Sequence, residues 1–145
     1  MLRTCSRMIA LTAMLTYGLV TAQAADTTLT LACQGTTADT IPKPAKPATY
    51  PISMGIIVNF TNRTVQGFFL PGGSEDFVKL TEINEVAMTF DGSLAHGSSN
   101  SSIRGTIDRV TGAVDATITW SDANTGSVIG STDYTLKCRP AQRMF

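Results

Sequence analysis

Beyond the first two dozen residues, apolar side chains return at every second position. Leu29, Leu31 and Cys33 share one face of a segment whose other face carries Thr28, Thr30 and Ala32. Ile52, Met54, Ile56, Val58 and Phe60 alternate without a break, and the Asn62-Arg63 turn then leads into Val65, Gly67 and Phe69. The same period continues through Val78 and Leu80; Val86, Met88 and Phe90; Ile103, Gly105 and Ile107. It ends with Val114, Ala116, Ile118 and Trp120, then Tyr134, Leu136 and Cys138. A period of two marks strands with one buried face, whereas a helix would repeat at 3.6. The pattern predicts an all-β domain, an antiparallel meander of about eight short strands.

The joining segments follow from turn chemistry. Pro42, Pro44, Pro47 and Pro51 crowd residues 41–51, which reads as a stiff extended link outside any central strand. Ile83-Asn84-Glu85 reads as a tight turn, LPGGSED (70–76) as a loop and DGSLAHGSSNSS (91–102) as a longer polar loop. Arg139-Pro140 is expected to break the last strand. One motif occurs twice, 14 positions apart: Asp108-Arg109-Val110-Thr111-Gly112 and Asp122-Ala123-Asn124-Thr125-Gly126, each followed by a small residue and Val. Asp at the start of such a turn can accept from its backbone amides, and Gly at the end supplies a positive φ. Both copies are therefore expected to hold hairpin corners, with a carboxylate–guanidinium site at Asp108 and Arg109 as the alternative.

Cys33 lies on the apolar face of the first strand, and Cys138 on that of the last. A disulfide between them requires Cα atoms within about 7 Å, so the first and last strands must meet. In an up-and-down meander that means a closed, calycin-like barrel, which also removes exposed edges; a β-sandwich with the two strands facing each other is the alternative. Alternation alone does not say which way the apolar face looks. Several strands read as shorter than the roughly 9–11 residues of a membrane strand, and no aromatic girdle is visible, despite the terminal Phe145. The apolar set is therefore assigned to the interior: Ile52, Met54, Ile56, Val58, Phe60, Phe69, Leu80, Met88, Phe90, Ile107, Ile118 and Trp120.

The N-terminus changes the picture of where the domain works. Arg3 and Arg7 precede an apolar run, Met8 to Val20, and Ala22-Gln23-Ala24 is a small-x-small cleavage site. This is the pattern of a secretory signal peptide over residues 1–24, cut near Ala24/Ala25, leaving one β domain at 25–145. The expected location is the periplasm or the exterior, with no membrane span in the mature chain. Cleavage removes Cys5 and leaves an even pair, as a structural disulfide needs. It also removes Arg3 and Arg7, which takes the 11 basic residues to nine against 11 acidic ones. Nucleic acid is not an expected partner of such a chain.

Candidate chemistry is sparse. The chain has one histidine, His96, and no His/Cys cluster with metal-ligand spacing, so neither metal nor cofactor is expected. Ser93 or Ser98, His96 and Asp91 could be written as a triad, but no nucleophile-elbow context surrounds them. Glu75-Asp76 beside Gly72-Gly73 reads as loop, and Asn59, Asn62 and Asn100 stand in glycosylation sequons.

GTIDRVTGAV, the ending YTLKCRPAQRMF and the first strand TLTLACQGT resemble a group of small exported proteins from rhizobial and related alphaproteobacteria. The resemblance covers most of the mature chain. It implies a bacterial source and export, and it carries no catalytic residue, because that group has no assigned activity. The expected function is a non-catalytic binding or envelope-accessory protein. Its protein or small-ligand partner would be met at the loops 35–50, 70–76 and 91–102. A calycin-type ligand carrier and a periplasmic inhibitor of an envelope hydrolase are the alternatives.

Overall fold

The computed structural model describes residues 27–40, 48–70 and 77–141. The expected signal peptide, residues 41–47 of the proline-rich link, residues 71–76 of the expected loop with Glu75-Asp76, and Phe145 lie outside the described residues. Eight strands follow in chain order: β1 (Thr28–Thr40), β2 (Ala48–Asn59), β3 (Thr64–Gln66), β4 (Lys79–Ile83), β5 (Ala87–His96), β6 (Ser99–Asp108), β7 (Ala113–Asp122) and β8 (Val128–Pro140). Each pairs antiparallel with its neighbour, and β1 also pairs with β8, so the sheet closes into a barrel and the sandwich alternative falls.

The closing seam is long. It runs from Leu31 opposite Pro140 to Thr40 opposite Ser131, with Cys33 directly opposite Cys138. Their sulfurs lie 2.05 Å apart, at disulfide distance, and their Cα atoms 4.0 Å apart. The Cys138 amide donates to Gly112 at 2.7 Å, on the side away from β1. The two cysteines therefore form a non-hydrogen-bonded cross-strand pair, the kind in which side chains approach most closely.

Two expectations about proline need correcting. Residues 48–51 belong to β2, with Pro51 opposite Thr36, and β8 runs on through Arg139 to Pro140. Hydrogen bonding alternates sides along a strand, so Pro51 faces away from β1. There, among the described residues, β2 has no strand partner before Ile57. Pro140 faces the β7 side beyond the start of β7. Neither proline removes a ladder bond, which is the condition under which a strand accepts one.

A third correction concerns Phe69. Strand parity places it inside, yet it is 78% exposed, while Phe68 and Leu70 are buried. Gly67 sits at φ 117°, and this break after β3 shifts the alternation by one residue. Unbroken parity would bury one large side chain; the shift buries two, each worth about 1.5–3 kcal/mol. That outweighs the cost of about 1 kcal/mol for glycine in an extended segment. The Phe68 ring then packs 5.3 Å from Phe90 and 5.5 Å, edge-on, from Tyr134.

The polar stretch 91–102 is also not a loop. β5 and β6 continue their pairing to His96 opposite Ser99, joined by a two-residue turn at Gly97-Ser98. Gly97 has φ 59° at the first turn position, as a II′ hairpin demands. The strand length expected from the sequence fails for the same reason. Six strands run 10 to 13 residues, so length does not argue against a bilayer. The outward side chains do. Asp91, Arg104, Asp115 and Lys137 stand at mid-strand among Thr89, Ser102, Thr117 and Thr135, where a lipid-facing barrel would present an apolar band. Thr117 donates to Asp133 across this belt at 2.6 Å.

The turns 60–63, 84–86 and 109–112 share one end of the barrel, which we term the corner end. The turns 97–98 and 123–127 share the other end, the mouth. Asn84 builds its turn as expected: its side-chain oxygen accepts from Val86 at 2.9 Å and Ala87 at 2.8 Å. The core fills the barrel from the corner end upward, with Ile56, Val58, Val65, Met88, Phe90, Ile107, Val114 and Ile118 all 0–2% exposed.

Candidate functional site at the barrel mouth

Inward positions near the corner end are apolar side chains or cysteine, apart from Gly105, which makes room for the Phe90 ring, as a packed interior requires. Towards the mouth the same inward parity continues but the chemistry changes. On β1 the sequence Leu31, Cys33, Gly35 is followed by Thr37 and Asp39; on β8 Cys138 and Leu136 give way to Tyr134, Thr132 and Gly130. On β6 Ile107 and Ile103 give way to Ser101 and Ser99, and β7 ends its inward row with Trp120. Register places Tyr50 opposite Thr37, Thr37 opposite Tyr134, Asp39 opposite Thr132, and Ser101 opposite Trp120. These residues form an arc at the mouth, running over β2, β1, β8, β7 and β6.

The closest contact in the arc joins β8 to β1. The Thr132 hydroxyl donates to the Asp39 carboxylate at 2.5 Å. Thr132 is 7% exposed, whereas Asp39 stands exposed at the rim, so the threonine anchors a carboxylate that water or a ligand can reach. Half-buried Tyr134 feels both features. Burial raises its phenol above the usual pKa, and the negative charge of Asp39 raises it further. The phenol therefore stays protonated as a hydrogen-bond donor at neutral pH. Trp120 is partly buried against the core, and the β7–β8 register slips just beyond it, between Trp120 and Ser121. Such an irregularity re-aims neighbouring side chains. Tyr50 is 53% exposed.

The residues singled out in the sequence fall elsewhere. Cys33 and Cys138 fasten the seam towards the corner end. Asp108 and Gly112 hold the β6–β7 corner, and Asp122 and Gly126 the β7–β8 corner. In each, the Asp carboxylate accepts two backbone amides: Val110 and Thr111 at 2.8 Å, Asn124 at 2.9 Å and Thr125 at 2.8 Å. The glycine amide then donates back to the Asp carbonyl, at 2.9 Å for Gly112 and 2.8 Å for Gly126, and both glycines have φ 70°. The Arg109 guanidinium does not join Asp108; it donates to the Asn84 carbonyl. The triad written from Asp91, Ser93 and His96 does not assemble. Asp91 and Ser93 face outward and His96 has the opposite parity, about 17 Å along β5 from Asp91. Ser98 lies in the turn beyond. Among the described residues no group of three His, Cys, Asp or Glu side chains could hold a metal ion.

Thr37, Asp39, Tyr50, Ser101 and Thr132 were missed as site residues, and 35–40, 48–50 and 91–102 are strand rather than contact loop. One sequence signal pointed to them. Asp39 keeps the parity of Leu31 and Cys33, so a carboxylate stands on a face that is otherwise interior. No family model matches the chain, and no curated protein or solved structure matches it.

Proposed function

We propose that this chain is an exported, non-catalytic binding protein that takes a small ligand, or a projecting group of a partner, at the barrel mouth. The change along the interior, from fully buried aliphatic side chains to buried Thr132, half-buried Tyr134 and Trp120 and exposed Asp39, carries this reading. Barrel mouths are a preferred place for ligand sites, and a few placed polar groups on an apolar floor are their usual composition. A carrier with a deep cavity is less well supported. Such a cavity leaves accessible surface on its lining, and Ile56, Val58, Val65, Phe90 and Ile118 have 0–1% exposure. Export is supported by the N-terminal pattern and by a cysteine pair at disulfide distance, which persists in oxidising compartments. The resemblance to small exported alphaproteobacterial proteins agrees with it. The polar outer belt supports a soluble rather than a lipid-facing barrel.

The test is a titration of the oxidised mature chain with small-molecule extract of a bacterial envelope, followed by amide NMR. Shifts confined to Thr37, Asp39, Ser101, Trp120 and Thr132 are the expected result. Shifts centred on Arg104 and Lys137 of the outer wall, or no shifts, would overturn the reading.

A further inference from the structure

Among the described residues no lysine or arginine stands at an inward position. Each described lysine and arginine, from Arg63 and Lys79 through Arg104 and Arg109 to Lys137 and Arg139, lies in a turn or at an outward strand position. Asp39 holds inward parity at the mouth, whereas Asp122, beyond Trp120, has its carboxylate taken up by the Asn124 and Thr125 amides of its own corner; among the described residues His96 is the one basic side chain at an inward position there. Among the described residues Thr132 engages one oxygen of Asp39, and no cation reaches its carboxylate. Asp39 stands exposed, so a cation arriving from solvent can reach its carboxylate. Three aromatic side chains share the mouth with it. Tyr134 is close enough to feel its charge, and Tyr50 lies across Thr37 from Tyr134. Trp120 follows Ile118, the cross-strand partner of Thr132, by one inward step. A carboxylate among aromatic faces attracts an ammonium group by charge and by the ring quadrupoles together.

Resting on the reading that the mouth binds, we infer that its ligand is a small organic cation, an ammonium head group seated between Asp39 and the aromatic side chains of Trp120 and Tyr134. Thr132 fixes the carboxylate and the Tyr134 hydroxyl supplies a donor for a neighbouring polar atom of the ligand. An anion would meet Asp39 directly, and a neutral ligand would leave its charge unmatched.

Choline and its uncharged isostere 3,3-dimethyl-1-butanol separate charge from shape, and 3,3-dimethylbutyrate supplies the anion. Each is titrated against the oxidised mature chain while the emission of Trp120, the only tryptophan, is followed. The expected order is choline, then the alcohol about tenfold weaker, then the anion, the tenfold step corresponding to about 1.4 kcal/mol. Asp39→Asn can still accept from Thr132; it should lose about tenfold for choline and nothing for the alcohol. Equal binding of choline and the alcohol, or choline binding unchanged in Asp39→Asn, would overturn the cation inference and leave the mouth as a binding site. If Asp39→Asn does not fold, the order of the three ligands on the wild-type chain decides alone. No saturable response to any of them also overturns the inference, and the envelope-extract titration then judges the mouth independently.

Discussion

The β6–β7 and β7–β8 corners carry the same five-residue motif and form the same turn, yet they stand in different company. Gly112 has a neighbour pressed against it: a Cβ built there would lie 2.4 Å from the Cys138 carbonyl, and the Cys138 amide donates to Gly112. Arg109 next to it donates its amide to Val86 at 2.7 Å and its guanidinium to Asn84. The first corner is thus bonded to the 84–86 turn on one side and, on the other, to Cys138 in the seam itself. Around Gly126 a Cβ would meet nothing within 4 Å, and the corner's one outside backbone tie is Ala123 to Ser98 at 2.8 Å. Local sequence sets the turn; the surroundings decide whether it becomes framework. The corner end is built to be fixed, and the mouth is built to present side chains.

Unfastening the seam should break that contrast most. Replacing both cysteines by alanine is expected to cost about 4–5 kcal/mol in urea unfolding, the chain-entropy value for a loop of this length. On that background the effect of changes at Gly112 should shrink, because its tie to Cys138 slackens and neighbouring sites couple. Next come the glycines. Gly112→Ala combines a left-handed conformation, about 1–2 kcal/mol, with a backbone clash worth about 1–3 kcal/mol more. Gly126→Ala should cost only the first of these, about 1–2 kcal/mol. Equal losses at the two glycines would erase the distinction drawn here.

The smallest effect should be the same at both corners. Backbone amides, of Thr111 foremost at Asp108 and of Thr125 foremost at Asp122, hold each carboxyl below its usual pKa. A lowered folded pKa contributes stability above the ordinary carboxylate pKa and loses it as pH falls through the folded value, so the loss lies below about pH 4. Asp108→Asn and Asp122→Asn should each flatten the acid limb of a stability–pH profile by a similar small amount. Unequal flattening would show that Lys137, whose charge reaches Asp108, matters more than the turn amides.

Much of this was legible in the chain itself. From Ile52 to Val58 and from Val114 to Trp120 the strand and its inward face are as the pattern says, whereas Val86, expected on one face with Met88 and Phe90, is 58% exposed in the turn before β5. Two cysteines of matching parity were enough to require that the first and last strands meet. Legibility ended where alternation stopped being apolar. Leu94, Ser101 and Ser99 point inward at a mouth that needs no packed core, so β5 and β6 looked like loop. Gly67 reversed parity, which no periodic reading could see, and exchanged Phe69 for Phe68. Pro51 and Pro140 read as breakers because strand sequence does not reveal which edge is unpaired. The site residues share this fate, since Asp39 and Thr132 become partners only through the seam, 93 positions apart in the chain.

Amide hydrogen exchange of the oxidised chain measures the difference between the two ends most directly. The amides of Arg109, Gly112 and Cys138 should exchange only through global unfolding, with the protection and denaturant dependence of the core strands. Those of Asn124, Thr125 and Gly126 should exchange through local opening, faster and nearly independent of denaturant. Equal protection at both corners, or faster exchange at Gly112 than at Gly126, would contradict a barrel fixed at one end and presented at the other.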